Sequence, residues 1–377
     1  MHSKMDSDFS NLKSYMDGIK QEFGVPFCRC RVVKSGNIIF DYAAGENEEG
    51  KDLYYIFSMT KLITSIAAMR LIEQGKLSLE DEVAKYLPQA EYITVESPEG
   101  PVPAKCKMTV KHLLSMQGGY NYNIGGNLRE FVQDNPDATT MEIANVLLKR
   151  PLKFEPGTKM AYSLCYDVLG AVIEVASGMS LGEYLENEIF HPLGMKDTTF
   201  QATEAVKERL IALYEYNEAQ QQMKEIVPIS NKFVFSSRYE SAGAGLISSF
   251  EDYFKLVMAV MNTCKNEEGY CLISDESLKE ITKRRMTDEM LKAYNRYRQW
   301  GSGYGFGVRV QLEKDMCPPG MDTGVFELTG SAGSYAHFDL KNDIAVLYFQ
   351  HAIKAEILDV VHHTVRDLVY EELNKKS

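Results

Sequence analysis

Phe57-Ser58-Met59-Thr60-Lys61 opens the run FSMTKLITSIAAMRLIEQ, residues 57–74, and Gly75 follows it. Leu62, Ile63, Ile66, Ala67, Met69, Leu71 and Ile72 recur at helical spacing, which predicts a helix over Ser58–Gln74. Gly75 stands where a helix ends. Positions i and i+3 share a helix face, so the Ser58 hydroxyl and the Lys61 ammonium can meet. A serine hydroxyl is a weak nucleophile until a base removes its proton. A desolvated lysine is such a base. The helix start also favours developing negative charge. The bland reading of Ser58 is an N-cap. Ser10-Asn11-Leu12-Lys13 has the same spacing, but it lies in a polar amphipathic stretch and reads as solvated surface.

Outward from this run, Asp8–Glu22 reads as an amphipathic helix. Strands are predicted at Phe27–Lys34 and Ile38–Ala44 about the turn Ser35-Gly36-Asn37. Residues 76–230 read as helical and loop-rich, with helices at Val110–Met116, Met141–Leu148, Tyr166–Ala176 and Leu181–Ile189. The glycine-rich Ala242–Gly245 precedes a helix at Phe250–Met261. Strands return at Gly305–Val310, Gly324–Leu328, Ser334–Leu340 and Ile344–His351, and a helix over Ala355–Leu373 ends the chain. Strands therefore bracket a helical middle. The expected class is α+β: an antiparallel sheet built from 8–75 and 235–377, flanked by terminal helices. A mostly helical domain, 76–234, is inserted, with the active site at the interface.

The 377 residues are 45% hydrophobic, ample for a packed core. A formal net charge of −12 sets the chain against nonspecific nucleic-acid binding and anionic membranes. No apolar run reaches the ~18 residues of a membrane span, and the first residues show no secretory pattern. The seven cysteines have no zinc or disulfide spacing. They read as reduced thiols, mostly core filler, in a cytoplasmic protein.

Other stretches carry candidate chemistry. Tyr162-Ser163 follows Pro156-Gly157-Thr158 and precedes a helix; a phenol there can shuttle a proton, although a tyrosine is more often core. Leu328-Thr329-Gly330-Ser331-Ala332-Gly333 ends a strand, where glycine lets backbone N–H groups approach a substrate. Paired with the Ser58 N–H, such a donor makes an oxyanion hole. Gly178-Met179-Ser180-Leu181-Gly182 matches a nucleophile elbow, but helices flank it, so Ser180 reads as a cap. Gly301–Gly307 lacks the lysine of a phosphate loop. His362-His363 are adjacent on a helix and face apart, which disfavours a joint metal site. Trp300 with Tyr294, Tyr297 and Tyr304 can line a substrate cleft, and surface and core roles weigh equally.

Taken in order, these pieces resemble the serine β-lactamase and penicillin-binding-protein superfamily, closest to its class C branch, which includes the family VIII carboxylesterases. Leu71-Ile72-Glu73-Gln74-Gly75-Lys76-Leu77-Ser78-Leu79-Glu80-Asp81, Thr109-Val110-Lys111-His112-Leu113-Leu114, Phe154-Glu155-Pro156-Gly157-Thr158 and Pro192-Leu193-Gly194-Met195 extend the likeness from about Phe27 to the final helix. The resemblance implies a β-lactamase/transpeptidase-like fold. It implies Ser58 as nucleophile, Lys61 and Tyr162 as the acid–base system, and the N–H groups of Ser58 and Ser331 as oxyanion hole. It places Leu164, Leu328, Gly330 and Tyr335 against the substrate. Two residues depart from the family pattern. Leu164 replaces an asparagine of the second motif, and Leu328 replaces the cation that opens the third. Both make the site more apolar and favour a small neutral or hydrophobic acyl substrate, an ester hydrolysed or its acyl group transferred, unless Arg309 or His337 supplies charge. A β-lactam or D-amino-acyl peptide is the alternative substrate, and a non-catalytic sensor is the alternative role. No metal or organic cofactor is required.

Overall fold

The computed structural model describes residues 9–262, 269–294 and 299–375. Ile344–Gln350 is apolar almost without a break and buried along its whole length, which marks a central strand covered on both faces. Its antiparallel neighbour is Phe27–Lys34, with Cys28 opposite Gln350 and Lys34 opposite Ile344. The two ends of the chain thus meet at the middle of the sheet. The seven strands run in the order Asn37–Gly45, Phe27–Lys34, Ile344–Gln350, Tyr335–Asp339, Phe326–Thr329, Arg309–Gln311 and Ser302–Tyr304, antiparallel throughout.

Helices cover both faces. Ser10–Phe23 and His362–Asn374 bury Leu12, Met16, Ile19, Val365, Val369 and Tyr370 against Cys28, Cys30, Val346 and Tyr348. On the other face, Thr60–Glu73 and Phe250–Met261 pack on Val33, Phe326, Leu328, Ala336 and Phe349. Thr60–Glu73 is buried around nearly its whole circumference, as its unbroken apolar content requires. The helices Thr140–Leu148 and Cys165–Ser177 of the middle segment share that core. Among the described residues no single helix is long and apolar enough to cross a membrane.

Several sequence expectations need correction. The strand expected at Gly305–Val310 is two strands, Ser302–Tyr304 and Arg309–Gln311, because the chain turns where Gly305 N–H donates to Val308 O at 2.9 Å. The middle segment holds a hairpin, Tyr214–Asn217 with Gln222–Glu225, joined to Ala352–Ile353. Its largely solvated, polar side chains gave no apolar alternation to read. The last helix begins as a widened turn at Ile357–Val361. Cys271 is disulfide-bonded, against the expectation of wholly reduced thiols; Cys28, Cys30, Cys106, Cys165 and Cys317 are free.

A short ladder sets the approach to Ser58. Leu53–Tyr55 pairs with Ile247–Ser249, and Ile56 N–H donates to Leu246 O at 3.1 Å. His351 locks it from the sheet side. Its Nε2 accepts from Tyr55 N–H at 3.1 Å, so Nδ1 carries the proton donated to Ile211 O at 2.8 Å. Protonating Nε2 breaks the first bond. Burial lowers the His351 pKa from 6.5 to about 4. The unfolded chain therefore takes up a proton below pH 6.5 that the folded one refuses. This contribution to stability is full above about pH 6.5 and declines as the pH falls toward 4, by up to roughly 3 kcal/mol. Buried His362, lowered to about 3, acts with the same sign. Urea unfolding at pH 7 and pH 5 is expected to show a smaller acid destabilisation for His351→Gln than for wild type. Equal acid destabilisation of the two proteins refutes the role of this imidazole.

Candidate active site

Ser58 sits in a tight turn, Phe57–Met59, that leads into Thr60–Glu73. Phe57 has φ +45°, a left-handed conformation that a bulky residue adopts at a cost on the order of 1–3 kcal/mol. Its ring is buried between Tyr55, at 6.2 Å, and Phe233, at 6.4 Å between centroids. That packing holds the strained turn. Ser58 lines a cavity with Tyr162, Tyr304, Gly307, Arg309, Glu327, Leu328, Thr329, Ser331 and Leu358.

Lys61 is fully buried, one helical turn beyond Ser58. An ammonium has three N–H groups, and Nζ here has three acceptors. They are Ser58 Oγ at 3.1 Å, Tyr122 OH at 3.0 Å and Gly243 O at 2.6 Å. Nζ also lies 4.7 Å from the centroid of the Tyr162 ring and 5.8 Å from those of Tyr122 and Tyr166. Three aromatic faces thus surround a buried cation. Tyr162 lies beside the pair, its ring 5.6 Å from that of Tyr122. The phenol hydrogen-bonded to the ammonium is that of Tyr122, which sequence reasoning missed.

The third acceptor comes from the loop 241–245. Thr64 Oγ1 donates to Ala242 O at 2.7 Å, and Leu246 N–H donates to Thr60 Oγ1 at 3.3 Å, so the helix and the loop clasp each other. Behind the loop lies Asp167, fully enclosed in the core. Its carboxylate accepts from Tyr239 OH, from Ser241 Oγ at 2.7 Å, and from the Gly243 N–H. Burial raises its pKa, which these donors and Lys61 oppose. A Cβ on Gly243 would stand 3.2 Å from Asp167 Oδ2 and 3.6 Å from Lys61 Nζ, so glycine lets the loop pass between them.

The end of Phe326–Thr329 supplies the opposite wall. A Cβ on Gly330 would meet Ile56 O at 2.5 Å and Ser334 Oγ at 2.3 Å. Gly330 thus brings the strand end onto the backbone that leads to Ser58, and Ser331 lines the cavity beside Ser58. Gly330 itself lies between Thr329 and Ser331, which both line the cavity. Leu328 lines it as well. Tyr335 is fully buried under the terminal helix, stacked on His362 at 4.7 Å, and its hydroxyl donates to Glu327 Oε2 at 2.5 Å. It turns away from Ser58, and its expected substrate contact is corrected. Leu164 is corrected likewise: it caps Cys165–Ser177 and faces a separate cavity with Gly119, Tyr120 and Arg150.

Other residues singled out in the sequence fall into place. Ser180 caps Leu181–Leu185, its hydroxyl accepting from Glu183 N–H at 3.2 Å. His362 Nε2 meets Gly333 O at 3.0 Å, while His363 stacks on Trp300 at 3.8 Å. His337 is buried between the hydroxyls of Tyr335 and Tyr370, at 3.2 and 3.1 Å. Of the aromatic group near Trp300, Tyr304 lines the cavity, Tyr294 packs on the core, and Tyr297 lies outside the described residues.

The chain is similar to known proteins. A family model described as "Beta-lactamase" matches residues 29–355. Esterase EstB of Burkholderia gladioli is 25% identical over 370 residues, covering 90% of this chain and 89% of its own. The structure of EstCE1, a hydrolase with promiscuous acyltransferase activity, has TM-score 0.79 at 22% identity and covers 97% of this chain and 99% of that one. Unliganded simvastatin synthase LovD from Aspergillus terreus has TM-score 0.79 at 19% identity, covering 96% and 98%. At these identities the two structures speak for the fold alone.

The Tyr122 hydrogen bond generates a prediction. Tyr122→Phe is expected to lower kcat on an ester by about 10²-fold, the scale of a lost proton-transfer partner. Steady-state kinetics with a p-nitrophenyl ester tests it, and a loss below threefold removes this phenol from the proton route.

Proposed function

Since the chain belongs to the Beta-lactamase family and is a serine hydrolase, we propose that it hydrolyses or transfers the acyl group of a small neutral or hydrophobic ester through an acyl-enzyme on Ser58. One observation carries the assignment: a fully buried Lys61 Nζ lies 3.1 Å from Ser58 Oγ, with a phenol at its other side. To act as base, Lys61 first releases one proton to solvent water. It then takes the Ser58 hydroxyl proton as Oγ attacks the acyl carbon. The N–H groups of Ser58 and Ser331 stabilise the oxyanion. The carbon–oxygen bond to the alcohol breaks, and the departing oxygen collects the proton through Lys61 or Tyr162. Water or a second alcohol repeats the sequence in reverse on the acyl-enzyme. Leu328 in the cavity wall supports the neutral acyl group, because it offers no charge to a substrate carboxylate.

The same reading extends to place. The buried free thiols Cys28, Cys30 and Cys165 fit the cytoplasm, the disulfide at Cys271 does not, and cell fractionation decides between them.

p-Nitrophenyl butyrate is expected to be turned over far faster than nitrocefin, and the reverse order overturns the ester reading. Ser58→Ala loses about 10⁴-fold or more while remaining folded. Lys61→Ala and Tyr162→Phe each lose orders of magnitude, non-additively, because the groups act as a unit. A fluorophosphonate adduct, mapped by mass spectrometry, should sit on Ser58, and labelling elsewhere with Ser58 bare ends the proposal.

A further inference from the structure

The wall beyond Leu328 carries two opposite charges. Arg309 and Glu327 face each other on neighbouring strands, and both line the cavity that Ser58 lines. Cross-strand partners share a face, so their side chains meet. Arg309 is 8% exposed and Glu327 3%. Arg309 Nη2 stands 2.6 Å from Glu327 Oε1, and Glu327 Oε2 accepts from Tyr335 OH at 2.5 Å. Burial opposes a charge on Glu327. Arg309, the hydrogen bond from His337 and the more distant Arg366 nevertheless hold its carboxyl well below the ordinary range. The guanidinium charge is therefore cancelled beside the cavity.

The cancellation is incomplete in one respect. Among the described residues Arg309 Nη2 has an ionic neighbour but no directed hydrogen bond. Nη2 carries two N–H groups and the single oxygen Glu327 Oε1 answers at most one, so a ligand oxygen in the cavity can supply an acceptor for the other. A carboxylate oxygen brings its own charge close to Glu327, where low dielectric strengthens the repulsion. An ester, ether or amide oxygen meets the same donor without that penalty.

We propose that the Arg309–Glu327 pair selects acyl donors that carry a second, neutral acceptor oxygen and rejects those that carry a carboxylate. The inference rests on the esterase reading and deepens it. Arg309 binds, and Glu327 sets the sign of what Arg309 accepts.

Three p-nitrophenyl esters of one chain length test this: hexanoate, the monomethyl ester of adipate, and free adipate. In wild type, kcat/KM for the methyl adipate ester should exceed that for free adipate by about 10²-fold and that for hexanoate by about tenfold. Glu327→Gln frees the guanidinium and should raise the adipate-to-hexanoate ratio at least tenfold. An unchanged ratio overturns the proposal. A lone Arg309 charge in this wall endangers folding, so the double variant Arg309→Gln/Glu327→Gln, which buries no charge, is the second arm. It should bring the methyl adipate and hexanoate rates within threefold, and persistence of the wild-type preference also overturns the proposal. Fluorophosphonate labelling of Ser58 in each protein separates the two failures. Labelled enzyme with the wrong ratios defeats this inference alone, whereas wild type that neither labels nor turns over hexanoate defeats the hydrolase reading beneath it.

Discussion

A buried ammonium must find acceptors for all three of its N–H groups, and the rest of the site follows from how Lys61 does so. One acceptor is the Ser58 hydroxyl, one is a phenol, and one is a peptide carbonyl. Each comes from a different part of the chain. The serine comes from the same helix entrance, Tyr122 from a middle-segment loop, and the carbonyl from the loop before Ile247–Ser249. To satisfy one cation, the fold must hold three segments in fixed relation. Asp167 is part of that demand. It ties down the loop that presents the Gly243 carbonyl without touching the ammonium through a hydrogen bond of its own.

The opposing wall obeys a different constraint. There the sheet must come close enough for its backbone to share a cavity with Ser58, and Gly330 allows it by having no Cβ to meet the Ile56 carbonyl. The turn at Phe57 is strained, and the packing of its ring keeps it so. His351 fastens the same approach from the far side by fixing the Tyr55 amide. Ser58 is thus held by contacts to Ile56, Phe57 and Tyr55 on three sides, with Lys61 on the fourth.

How much of this was legible depended on whether the signal was local. Ser58 and Lys61 are three residues apart on one helix, so their meeting was written in spacing. The strand Ile344–Gln350 announced itself by apolar character and Phe27–Lys34 by its alternation before the turn Ser35-Gly36-Asn37, and the family likeness ordered the pieces. Tyr122 had no such signature, because it meets Lys61 from a loop with no periodicity. The Gly243 carbonyl belongs to the backbone, which no residue type marks. Leu164 and Tyr335 were read from motif position, but direction decided them. One is turned into the core at a helix cap, and the other is held beneath the terminal helix by Glu327 and His362. The Arg309–Glu327 pairing needed the strand register, which sequence alone does not supply.

The placement of Phe27–Lys34 beside Ile344–Gln350 also bears on how the protein is made. The hairpin Phe27–Gly45 leaves the ribosome about 300 residues before Ile344–Gln350, the strand that covers its inner edge. At about 5–20 residues per second, synthesis of the intervening chain takes on the order of half a minute. Through that interval the nascent protein carries a strand with one side of its backbone unpaired, open to chaperones and to other nascent chains. The helix Thr60–Glu73 can form in that time, but the wall that faces it, Phe326–Thr329, arrives only about 250 residues later.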